Sequence, residues 1–141
     1  MNRASEPFVE RVNRSLDPFA ADRGFSVTGT DDRGALAGWV RLESATLVID
    51  VIRDRGVEWI EVAAKERPRP RARRRPWPLG HVVAYLDGEA EPYPVSGLEI
   101  EAGWLTRRAA EILDPTLLNS DDLNRWAVKA SRRRSGPRRG T

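Results

Sequence analysis

A chain of 141 residues, 40% of them hydrophobic, can fill one core but not two. The absence of Cys and the single His, His81, exclude disulfides, thiolate chemistry, Cys/His zinc sites and His-rich metal centres, and no cofactor is expected. The net charge of +3 divides unevenly: segment 65–75 carries +6 and segment 123–141 carries +7, leaving −10 on the other 111 residues, so the overall charge excludes no class of partner.

The N-terminus, MNRASEPFVERVNRSLDPF, lacks the apolar stretch of a secretory signal, and no apolar run approaches the roughly 18 residues of a membrane span. A soluble, cytoplasmic protein that does not engage membranes is the expectation. Residues 5–23 read as an amphipathic helix. Ser5 is a candidate N-cap, Pro7 fits the first turn, and Phe8, Val12, Leu16, Phe19 and Ala20 repeat at helical spacing. Gly24 should end this helix, and Pro18 should bend it or stop it near Leu16.

Four β-rich runs follow, at Phe25–Thr30, Ala35–Glu43, Thr46–Arg53 and Val57–Ala63. The third is apolar on nearly both faces, which marks it as the central strand. Connections too short for crossovers imply an antiparallel meander. Asp50, in that strand, should pair with Arg41 or Arg53. Asp-Arg-Gly occurs three times, at Asp22–Gly24, Asp32–Gly34 and Asp54–Gly56. Each suits a turn, with Asp bonding local amides and Gly free to take positive φ. Trp39 and Trp59 fall on neighbouring strands and should share a sheet face, either as core beneath a helix or as a binding platform; core is the favoured role.

Residues 65–78 alternate Pro and Arg, which forbids helix or strand interior and favours a mobile, extended loop. Arg67, Arg69, Arg71, Arg73, Arg74 and Arg75 in such a loop are suited to nucleic-acid phosphates or to carboxylates on an acidic protein. Trp77 adjoins them, either stacking on a base or packing the loop's end onto the body. Arg outnumbers Lys 22 to 2 in a chain also rich in Ala, Gly and Pro, so a GC-biased coding sequence, with solvated basic loops balancing an acidic body, is the favoured account of the Arg runs.

Leu79–Leu86 reads as a short helix stopped by Asp87-Gly88, and 89–96 as a loop. Ser96-x-x-Glu99 has the form of a capping box, and Leu98, Ala102, Leu105, Ala109, Ile112 and Leu113 give a helix over 98–113. The alternation Leu98–Glu101 leaves a strand as the competing reading of 97–101. On a helix, Glu99 and Glu101 point about 200° apart and cannot converge on one substrate atom. A last helix should start at Ser120, with Leu123, Trp126, Ala127 and Ala130 as its buried stripe. Residues 135–141 read as a disordered basic tail on a single domain spanning 1–134.

The sequence contains no phosphate-loop, dinucleotide, nucleophile-elbow, zincin or calcium-loop motif. His81 sits on a short apolar segment and is expected to be a partly buried histidine rather than a base. No catalytic or metal residue is therefore assigned, and a non-enzymatic protein is expected.

Arg23-Gly24-Phe25 after the first helix, the strand Ser44–Val51, the turn Asp54-Arg55-Gly56 and the later Trp77-Pro78-Leu79 together resemble small uncharacterised α+β bacterial proteins. The resemblance spans about residues 5–88 and carries over no functional residue. It implies an immunity-type or other partner-binding domain. The expected fold is α+β, a four-stranded antiparallel meander covered by the N-terminal helix and C-terminal helices. The expected partner is a protein, with nucleic acid as the alternative through 65–75 and 123–141.

Overall fold

Alternation of apolar and polar residues along the middle of the chain builds the sheet. A computed structural model of the chain describes residues 7–34, 36–66 and 76–135. Among them, five strands form one antiparallel sheet in sequence order: β1 (Ser26–Asp32), β2 (Ala37–Glu43), β3 (Leu47–Asp54), β4 (Val57–Ala64) and β5 (Trp77–Pro78). The helices are α1 (Phe8–Arg23), α2 (Leu79–Leu86), α3 (Leu98–Ile112), α4 (Pro115–Leu118) and α5 (Asp121–Ser135). The α+β meander therefore stands, with β3 at its centre and a fifth, two-residue strand added to the expected four.

The three Asp-Arg-Gly turns behave alike. Gly24, Gly34 and Gly56 all take positive φ, of 75°, 94° and 80°, where a Cβ would be strained. Arg55 joins Gly56 at φ 55°, giving a two-residue hairpin between the paired Asp54 and Val57. Asp32 accepts the Gly34 amide at 3.1 Å.

One face of the sheet carries Val40, Leu42, Ile49, Val51, Ile60 and Val62, all buried against the helices. Phe8, Val12, Leu16, Phe19 and Ala20 of α1 and Leu98, Leu105 and Ile112 of α3 complete this core. The helix reading of 97–101 thus prevails over the strand reading: Leu98 is buried while Ile100, two residues on, is 55% exposed.

Several expectations need correction. The helix does not stop near Leu16. Pro18 is exposed, so its ring faces solvent, and burial of Phe19 and Ala20 carries the helix on to Arg23. Its N-cap is Pro7 rather than Ser5, which lies outside the described residues. The capping box does not form: Gly97 caps α3, the Ser96 amide goes to Glu101, and Glu99 binds Arg11. At α5, Ser120 accepts the Leu123 amide at 3.1 Å, as its expected start requires. The Arg/Pro run at 67–75 and the tail at 136–141 lie outside the described residues. No helix among the described residues is long and apolar enough to cross a membrane.

Candidate functional site

The second face of the sheet takes no part in the helix-covered core, and its side chains fall into rows set by the strand register. Trp39 lies opposite Ile52, and Ile52 opposite Trp59, so one apolar row crosses β2, β3 and β4. Trp39 is 39% exposed and Trp59 half-buried. The favoured core role for this pair is therefore overturned, because α1 and α3 occupy the opposite face. The Trp39 ring lies over Gly29 of β1, where a Cβ would come within 2.9 Å of it. Val57, 50% exposed and on the same side of β4 as Trp59, extends the apolar surface to the hairpin end of the sheet.

Paired charges flank this row. Arg41 donates to both Asp50 oxygens, at 2.8 and 3.0 Å, which is one of the two pairings expected from sequence. Glu61, on the same row, accepts the Trp59 indole N–H at 2.9 Å. One row further, Glu43 accepts the Thr28 hydroxyl at 2.6 Å and meets Lys65 Nζ at 3.3 Å. That last bridge spans β3, which lies between the two side chains, and passes the buried Val48. The Thr28 hydroxyl and then the Lys65 ammonium hold the Glu43 carboxyl below the usual carboxylate range.

At the outer edge of β4 the open face runs into a cavity of about 300 Å³, walled by Trp59, Pro78, His81, Pro92, Tyr93 and Pro94, with Glu101 among its lining residues. The short β5 pairs only with Glu61 and Val62, so the Ile60 amide beyond it needs another acceptor. Glu101 of α3 supplies one. Its Oε1 accepts Ile60 N–H and its Oε2 accepts Ser96 N–H, both at 2.9 Å. Glu101 is 1% exposed. Burial pushes its carboxyl up, against the opposing amides of Ser96, Ile60 and Gly97. Glu99 turns away to Arg11, as the 200° separation requires.

The outer wall, residues 92–95, is pinned to α2. Tyr93 N–H donates to Gly80 O at 3.2 Å, and the Tyr93 hydroxyl donates to Asp87 at 2.7 Å. Arg108 also holds Asp87, at 2.5 Å. The Tyr93 ring leans on Trp104 with centroids 6.0 Å apart. His81 is half-buried, its ring edge-on to Trp126 at 6.2 Å.

The sequence marks 89–96 only as a loop, and its charge pattern does not single out Glu101 as a buried group. A signal for Glu101 was present: it sits three residues after Leu98 and four before Leu105, on the helix's apolar stripe. A second cleft, of about 520 Å³, lies between the C-terminal ends of α1 and α3 and the β2–β3 turn. Its hydroxyls serve local backbone: Ser44 accepts the Thr46 and Leu47 amides, and Thr106 donates to Ala102 O.

Of the binding residues expected from sequence, Arg67, Arg69, Arg71, Arg73, Arg74 and Arg75 lie outside the described residues. Trp77 is 5% exposed, pairs opposite Val62 and donates its indole N–H to Leu118 O at 2.9 Å. It packs the segment's end onto the body and has no face free for stacking on a base. Arg125, Lys129, Arg132 and Arg133 of α5 are exposed. Among the described residues, no group of three or more His, Asp or Glu is placed to hold a metal ion. No family model, curated protein or solved structure matches the chain.

Proposed function

We propose that the chain is a non-enzymatic protein-binding domain, of the immunity type, that docks its partner on the open sheet face. The observation that carries this reading is the row Trp39–Ile52–Trp59 on the face the helices leave open, with Trp39 exposed and the other two half-buried. Aromatic anchors inside a polar rim are the composition of an interface centre, where a few large side chains supply most of the affinity. Arg41–Asp50 and Lys65–Glu43 are already paired, so a partner covering them strands no lone charge. The Arg run between Glu66 and Pro76 adds electrostatic attachment, which speeds encounter more than it tightens the complex.

The tagged chain, returned to its native lysate with and without nuclease, tests the reading. One protein retained in stoichiometric amount after nuclease, and lost from the Trp39→Glu variant, supports it. Retention unchanged in that variant overturns it.

The second reading is a nucleic-acid binder that ignores sequence, favoured by the exposed Arg125, Lys129, Arg132 and Arg133 on α5. Phosphate-driven binding weakens linearly in log K against log salt, with a slope set by the number of phosphates neutralised. Deleting 67–75 should then reduce that slope.

A further inference from the structure

We infer that the cavity at the edge of β4 receives an arginine side chain of the docked partner, its guanidinium against the rings of Trp59 and Tyr93 and directed toward Glu101. The inference rests on the docking reading above and names what the partner inserts. Continuity is the first support: Trp59 belongs both to the apolar row and to the cavity wall. A space of about 300 Å³ suits one long side chain rather than an element of secondary structure.

The walls are aromatic rings and prolines, which favour a flat, weakly hydrated cation over a compact ammonium. The acid supplies the charge. Each Glu101 oxygen accepts one amide, and a carboxylate has about four acceptor positions. These donors and the Gly97 amide near them are all neutral, so the ionised group keeps a net charge in buried surroundings that an inserted cation would balance. Burial already pushes the Glu101 carboxyl up, and a guanidinium would bring it down. The open face adds complementarity, since Glu61 lies beside Trp59 and accepts its indole N–H.

The test uses the full chain, labelled for amide NMR, with Nα-acetyl-arginine methylamide as the probe and its citrulline counterpart as a neutral control of the same shape. The arginine probe should shift the Ile60 and Ser96 amides and the Trp59 indole N–H, with the citrulline probe at least about tenfold weaker. Trp59→Leu should abolish the response. Glu101→Gln should level the two probes, and Trp59→Leu stands as the readout if Glu101→Gln does not fold.

Equal responses to the two probes, or no response at these three groups, overturn the inference. Failure here is distinct from failure of the docking reading. Partner capture lost in Trp39→Glu without arginine binding removes the cavity's role alone, whereas arginine binding with capture unaffected by Trp39→Glu removes the face and keeps the cavity.

Discussion

Gly80 and Gly103 are both helical glycines, yet their surroundings give the same substitution opposite signs. A Cβ on Gly80 would sit 2.5 Å from the Tyr93 carbonyl oxygen, which is backbone and cannot swing aside. Gly80→Ala should cost about 2–3 kcal/mol by pushing residues 92–95 off α2. At Gly103 the nearest atom is the Arg107 guanidinium, at 3.1 Å, the free end of a flexible chain. Gly103→Ala should therefore gain about 0.5–1 kcal/mol from helix propensity. Urea midpoints of the two variants check the pair, and shifts in the same direction would refute the steric account. Legibility at this scale depends on sequence distance. The place of Glu101 on the apolar stripe was readable, but its bond to Ile60, 41 positions away, follows from where β5 ends, which no local pattern encodes.

For the elements, one carboxylate adds a polar clamp to the apolar docking of α1. Glu58 of β4 accepts Arg11 at 2.8 and 3.0 Å and Arg53 at 2.7 and 2.9 Å, and Arg53 lies 4.5 Å over the Phe8 ring. Glu58→Gln leaves the largely buried Arg53 guanidinium without a carboxylate and Arg11 with Glu99 alone, and should cost about 2–3 kcal/mol. Burial pushes the Glu58 carboxyl up, but the hydrogen bonds from Arg11 and Arg53 outweigh it and leave the group below its ordinary 4.5. Between those two values the unfolded chain holds the proton and the folded chain does not, so acid favours unfolding. The stability Glu58 contributes is complete above about 4.5 and is lost as the pH falls through its lowered value. Glu101, raised by burial, works in the other direction: its contribution is complete below the ordinary 4.5 and is lost as the pH rises through the raised value. Thermal melts in acid should show a shallower loss for Glu58→Gln than for the wild-type chain.

The four long strands were legible because alternation and the Asp-Arg-Gly turns agree, and α2 because Asp87-Gly88 stops a short apolar run. β5 and α4, of two and four residues, are too short to show a period. β5 exists through a tertiary partner, Trp77 against Val62, and α4 through the local Asp114 cap on the Thr116 amide together with Leu118, which is buried and accepts the Trp77 indole N–H.

Across the whole molecule, the sequence put Trp39 and Trp59 on one face but could not say which face the helices would cover. That choice belongs to α1 and α3, whose stripes meet Val40, Val51 and Ile60 instead. Since Trp39 is 39% exposed and its ring covers Gly29, Trp39→Glu should cost about 1–2 kcal/mol of stability while removing partner capture. A melting curve beside a binding assay separates the two effects. Affinity through an apolar row should also persist in salt that dissolves a phosphate-driven complex, and titration at several ionic strengths measures the difference.

The two margins of the sheet are finished differently. At one, β1 presents seven residues of backbone interrupted only by a bulge between Val27 and Gly29. At the other, β5 contributes two residues and a carboxylate takes the amide beyond it. Growth of a fibril by strand addition needs a donor and a receiver margin on every subunit. Among the described residues only the β1 margin is of the open kind, so two copies pairing there, β1 to β1, would leave no second open margin for a third.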